Sequence, residues 1–342
     1  DLIGNTIVDG GTNGIYYYFD SYNGIAADIE GNTITGNDGN GIQAWATEDT
    51  AHVSLNIIGN LIDDNGEDGL NLGITDSSYN AFYTLIENNT VTNNAENGIA
   101  LYNSYTDENN LGASIRSNAI EDNGDHGIYI DVSYGGFIGD LYGNVIRHNA
   151  KNGVYIYDTS SYIGFHLGLK HNTIENNASS YSDSNYYDVA HSDSYAKVFA
   201  MDNWWGTTDT GLINEHIYEY DTDDAPIMYT ALDDTLVFSM PNPLGTIDGG
   251  YGVEIVADDG SPPFVPSAGF RETTVTFGDE DSPFVVVTSD GRSLIAQAPA
   301  QAAGVVDVVV TNAGGQTGTL VNGFTYAANF TDTDGDGVTD DV

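Results

Sequence analysis

The chain of 342 residues is 40% hydrophobic, lacks cysteine, and sets 51 Asp and Glu against 7 Lys and Arg, for a formal net charge of -44. That length exceeds what one ordinary core organises, and the charge repels nucleic-acid phosphates and anionic membrane surfaces, which excludes nucleic acid as a partner. The 23 Tyr and the apolar fraction argue against disorder, the self-repulsion implies bound cations or a saline medium, and no apolar run approaches the ~18 residues that span a bilayer.

From the first residues onward a G-N-T-I phrase recurs, placing Asn5, Asn32, Asn60, Asn89, Asn118, Asn144 and Asn172 at spacings of 27, 28, 29, 29, 26 and 28 residues. Three residues before each Asn stands Leu or Ile, from Leu2 and Ile29 to Leu169, and two after it stands Ile or Val, from Ile7 and Ile34 to Ile174. Nine after it comes glycine in six of the seven repeats, followed by an apolar residue such as Ile42 or Ile99. Short β-rich runs between Asn, Asp and Gly turns, with no 3.6-residue apolar period, predict coils of short strands. Stacked coils bury the aliphatic columns in one continuous core, and parallel crossovers are right-handed. The Asn column, and a second one at Asn37, Asn65, Asn94, Asn123, Asn149 and Asn177, read as stacked amides in tight turns rather than a binding site.

The expected fold class is therefore all-β, with a right-handed parallel β-helix over residues 1–206. Its repeat resembles the NosD-like and pectate-lyase-like superfamily. The pattern degrades over residues 179–197 and ends in N-W-W-G, where Trp204 and Trp205 are placed to cover the end of the core. Comparable segments followed by a stretch like Ile217 to Tyr220 close β-helices in related surface proteins, so residues 207–235 read as a closing or linker segment. Val and Thr runs between Gly and Pro turns over residues 236–328 predict a small antiparallel sandwich, which resembles an IPT/TIG immunoglobulin-like domain.

Residues 329–342 form the last element. Asp332, Asp334 and Asp336 stand at loop positions one, three and five, with Gly337 at six, the Val338 carbonyl at seven and Asp340 at nine. This set of hard oxygens suits calcium and resembles the loops of thrombospondin type 3 repeats and dockerins. The twelfth-position ligand would fall at residue 343. Because the chain enters in mid-repeat at Asp1, with Leu2, Ile7 and Ile15 on its first coil, that coil is expected to be covered either by upstream residues that continue the helix or by a neighbouring copy docked head to tail, which would complete this calcium loop.

Two turn columns stack acidic groups, Glu67, Glu96 and Asp125 in one and Asp64, Asn93 and Asp122 in the other; each reads as a cation site or as a solvated face. Arg147 aligns between Glu121 and Glu175, and Arg116 follows Glu87, as cross-coil ion pairs. His126, His148 and Lys151 read as solvated members of the same turns. In the strand after the conserved glycine, core residues alternate with Tyr16, Tyr18, Trp45, Tyr102, Tyr129, Tyr155 and Tyr157. Outward aromatic faces flanked by Asn and Asp are what sugar rings stack on, and they also strengthen sheets without a ligand. The sequence thus predicts an extracellular or cell-surface structural or adhesive protein, with calcium, self-association, other surface proteins or a polysaccharide as partners. A polysaccharide lyase or hydrolase is the alternative. Sequons at Asn88, Asn177 and Asn329 point weakly to the exterior.

Overall fold

The computed structural model describes residues 1–19, 24–47, 52–74, 81–103, 110–133, 135–158, 165–177, 187–192, 197–219, 227–231, 236–258, 261, 263–264, 272–288 and 291–327. The chain divides near residue 232 into two compact units. The acidic motif from Asp332 to Asp340, with Val338, lies outside the described residues.

The first unit is a parallel β-solenoid. Each of the first seven coils contributes one strand to each of three sheets, which reach nine, seven and eight strands in all. The long-strand sheet includes Ile25–Glu30, His52–Ile58, Ala81–Glu87, Asn110–Arg116 and Gly136–Tyr142; the short-strand sheet includes Thr33–Thr35, Leu61–Asp63, Thr90–Thr92 and Ala119–Glu121. The third, the aromatic sheet, runs through Ile15–Phe19, Ile42–Ala46, Leu70–Ile74, Ile99–Asn103, Ile128–Val132 and Val154–Asp158. Register follows the repeat directly: Ile57 faces Ile86, which faces Ile115, and Ile62 faces Val91, which faces Ile120.

The aliphatic columns meet inside, and Ile34, Ile62 and Ile120 are each 0% exposed. Burying one such side chain contributes about 1.5–3 kcal/mol. Trp205 joins this core, whereas Trp204 is half-buried and bridges to Thr173, so the N-W-W-G segment adds one more rung to the coil. Beyond it, helix Thr210–Glu215 is N-capped by Asp209. Strands Ile217–Glu219 and Met228–Ala231 then extend the aromatic and long-strand sheets in parallel.

Both Asn columns are hydrogen-bonded ladders through the buried turns. Asn60 donates its backbone N–H and its Nδ2 to Asn89 Oδ1 at 2.8 and 2.9 Å, and the same Nδ2 reaches back to Ile29 O at 2.9 Å. One side chain thus ties three coils together. The first ladder runs on past Asn172 to Asn203; the second ends where Asn177 donates to Asp188 Oδ1. Asn177 is consequently buried at 0% exposure, which closes its sequon to modification in the folded chain, while Asn88 sits exposed in a left-handed turn at φ 57°.

The second unit has two small sheets. Phe238–Ser239, Gly252–Ala257, Ser293–Gln297 and Val285–Val287 form an antiparallel four-stranded one. Leu244–Thr246, Thr317–Ala327, Gly304–Thr311, Thr274–Phe277 and Glu280–Asp281 form a five-stranded one, antiparallel except for its first pair. Ile255 and Leu294 from the first and Phe277, Val308 and Phe324 from the second share one core.

Candidate functional site

Period-two alternation sends every second residue of the aromatic sheet outward, and the register sorts the expected aromatics into two rows. Tyr16, Tyr129 and Tyr155 lie in the first, with Gln43, Asn71 and Ala100 between them; Tyr18, Trp45, Tyr102 and Tyr157 lie in the second, with Gly73 and Asp131 between. Four rings join across the rows into a stripe. Trp45 stacks on Tyr102 at 5.6 Å, Tyr102 meets Tyr129 at 5.7 Å tilted by 59°, and Tyr129 stacks on Tyr155 at 5.8 Å. Tyr16 and Tyr18, 58% and 57% exposed, make a separate pair at 6.4 Å, and Tyr157 stands exposed beside the stripe.

Trp45 and Tyr102 belong to coils two apart, and they meet because Gly73 lies between them. A Cβ at Gly73 would fall 2.7 Å from Tyr102 O and 3.3 Å from the Trp45 ring. Gly73→Ala is therefore expected to part the two rings and to red-shift the Trp45 contribution to fluorescence, isolated by difference against Trp45→Phe. An unchanged spectrum would show that the stack does not depend on this close approach.

The stripe is anchored to a third ladder that its mixed composition conceals in the sequence. The residue before each conserved glycine accepts a backbone N–H from the next coil: Asn13 from Asn40, Asn40 from Asp68, Asp68 from Asn97, Asn97 from His126, and His126 Nδ1 from Asn152 at 3.1 Å. Its sense is opposite to that of the other two. At its centre Asp68 Oδ1 also takes the Asn97 side chain at 2.8 Å, while Asp68 Oδ2 takes Asn71 Nδ2 at 2.7 Å. Asn71 Oδ1 in turn accepts the Trp45 Nε1–H at 2.9 Å. Trp45 is thus fixed by a chain of polar contacts that ends on a buried carboxylate.

Burial shapes the ionisation here. It raises the Asp68 carboxyl, the more weakly buried Glu96 carboxyl and the Asp131 carboxyl above the ordinary carboxylate range, and it raises the Tyr102 and Tyr129 phenols as well. Asp131 is held by Ser133 Oγ at 2.7 Å.

His126 departs from the solvated role expected of it. Tyr129, on the strand that follows, and Tyr155, on the matching strand of the next coil, stack on its ring at 5.8 and 4.8 Å, leaving it 8% exposed. His148 does remain half-exposed, 3.9 Å from Asp122, and Lys151 pairs with Asp125 at 2.5 Å. Arg147 bridges Glu121 and Glu175 as aligned, at 3.1 and 3.5 Å. Arg116 faces Glu87 in register but pairs instead with Asp140 at 3.1 Å. Among the described residues no group of three His, Cys, Asp or Glu side chains is arranged to hold a metal ion.

No protein-family model, curated protein or solved structure matches the chain. The site is therefore read from its geometry alone. Among the described residues no helix is long and apolar enough to cross a membrane.

Proposed function

We propose that the chain is a non-catalytic extracellular or cell-surface protein that binds a glycan along the aromatic stripe. The carrying observation is the preorganised row of half-buried rings, Trp45, Tyr102, Tyr129 and Tyr155, with Trp45 tied through Asn71 to Asp68. Rigid aromatic side chains beside amide and carboxylate groups offer apolar contact to sugar C–H faces and acceptors to sugar hydroxyls at little entropic cost. A lyase needs a free base near the sugar, and among the described side chains the solenoid's Arg116, Arg147, Lys151 and Lys170 each lie within 4.0 Å of a carboxylate. That pairing favours binding over catalysis.

The same reading takes the solenoid as right-handed and the second unit as an IPT/TIG immunoglobulin-like spacer. It assigns calcium to Asp332, Asp334, Asp336, Asp340 and the Val338 carbonyl, and it includes self-association at a cell surface. Affinity electrophoresis through a panel of soluble polysaccharides, with and without calcium, tests it. The wild-type chain is expected to be retarded by at least one neutral polysaccharide, with retardation weakened about tenfold in Trp45→Ala/Tyr102→Ala, the loss that truncating aromatic anchors produces. Equal retardation of both proteins, or release of new reducing or unsaturated ends on incubation, overturns the reading.

A further inference from the structure

The outer surface of the long-strand sheet carries a groove of about 330 Å³, away from the stripe. Its shape follows from one row of the register, in which Ser54, Tyr83, Gly112 and Ile138 succeed each other on neighbouring coils. Gly112 leaves its place in that row empty, and the Tyr83 ring leans into it: a Cβ at Gly112 would lie 2.5 Å from Tyr83 Cδ1. The ring thereby lies over the backbone of the next coil instead of standing out from its own, and it remains 53% exposed. Ile138, 71% exposed, forms the facing wall.

Polar groups line the neighbouring row, where Asn56, Leu85, Ser114 and Asp140 align. Ser114 Oγ and Arg116 Nε both donate to Asp140 Oδ2, at 3.0 and 3.1 Å, and Asn56 Nδ2 donates to Asp28 Oδ1 at 2.8 Å. Asp140 Oδ1, Asn56 Oδ1 and the Tyr83 hydroxyl keep unused hydrogen-bonding capacity. The groove thus combines an aromatic platform, an aliphatic wall and acceptors, with the Arg116 Nε–H held by Asp140 at its edge.

We propose that this groove is a subsite for one neutral pyranose residue of a glycan. A pyranose has an apolar C–H face to lay on Tyr83 and Ile138, and hydroxyls to donate to Asn56 and Asp140. The volume lies at the lower end of the roughly 300–1,000 Å³ of small-ligand sites, which suits a single ring. Asp28, Asp140 and the chain's net charge of -44 select against uronic and sulfated sugars. The groove and the aromatic stripe belong to different sheets, so either can fail without the other.

Saturation-transfer NMR on the full chain tests the proposal, with the methyl glycosides of glucose, galactose and mannose as probes and methyl glucuronide as the anionic comparison. Measured in the Trp45→Ala/Tyr102→Ala background, which removes the stripe's own contribution, transfer to at least one neutral glycoside is expected while Tyr83 is in place. It should fall about tenfold or more in Tyr83→Ala, an exposed substitution that leaves the core columns intact. Gly112→Ala, which displaces the ring, should act in the same direction. No transfer to any neutral glycoside, equal transfer in Tyr83→Ala, or equal transfer to the glucuronide each overturns it. So does a concentration-dependent association of the wild type that Tyr83→Ala abolishes, since the groove would then hold a second copy of the chain.

Discussion

Replacing Asn118 by Ala is expected to destabilise the solenoid by about 3–5 kcal/mol in urea unfolding. The side chain is 0% exposed and sits mid-ladder. Its Oδ1 accepts the backbone N–H and the Nδ2 of Asn89 at 2.9 and 3.0 Å, while its Nδ2 donates to Ile86 O at 2.8 Å and to Asn144 Oδ1 at 3.0 Å. Alanine would take the side-chain partner from the buried Asn89 N–H and from the buried Ile86 carbonyl, both on the preceding coil, and leave Asn144 Oδ1 with only the backbone N–H of residue 118; each orphaned group costs about 1–3 kcal/mol. Asn118→Asp should do no better, because it would set a carboxylate oxygen against Ile86 O and Asn144 Oδ1 where a donor now stands. Ser54→Ala, on the exposed face of the same solenoid, should stay within about 0.5 kcal/mol. A loss below about 1 kcal/mol for Asn118→Ala would mean that the ladders follow the coil without holding it.

The ladders also mark how far the sequence could be read. Two of them were legible because one residue type recurs at a nearly fixed spacing. The third was not, although it stands directly before the conserved glycine, because Asn40, Asp68, Asn97 and His126 share a role and not a side chain. An acceptor is all the position requires, and amide, carboxylate and imidazole each supply one. Asn203 was hidden differently, by a spacing of 31 residues from Asn172 that exceeds the regular repeat. Register fixed straight neighbours and left diagonals open, which is why Arg147 was placed correctly while Arg116 turned from Glu87 on the preceding coil to Asp140 on the following one. Period two likewise told which aromatics face outward. That they gather into one stripe depends on Gly73, and the groove at Tyr83 on Gly112; in each case a missing side chain on the next coil decides where a ring can lie.

The second and third ladders give the second large effect, a stability that depends on pH with opposite signs at two histidines. His126 must keep Nδ1 unprotonated to accept the Asn152 N–H, and burial between Tyr129 and Tyr155 lowers its pKa from 6.5 to about 4; Asp125 opposes this weakly and Lys151 adds to it. The unfolded chain takes up a proton that the folded chain refuses. The contribution is therefore complete above pH 6.5 and is lost as pH falls from 6.5 to about 4, an interval worth about 3 kcal/mol.

His216 is the reverse case. Its Nδ1 lies 3.0 Å from Asp188 Oδ2, the carboxylate that ends the second ladder, and this hydrogen bond raises its pKa. Its contribution is complete below the ordinary 6.5 and is lost as pH rises through the folded value. The raised carboxyls of Asp68, Glu96 and Asp131 add stability as the medium becomes acidic, so total curves mix signs and the difference between variants is the proper reading. His126→Asn retains a ladder acceptor without a titrating proton; its advantage over the wild type should grow as pH falls from about 7 to about 4.5 and vanish above neutrality. His216→Asn should fall behind the wild type most in acid and converge with it in alkali. Denaturant unfolding curves for the three proteins that run parallel across the whole range would show that neither imidazole is held as the geometry requires.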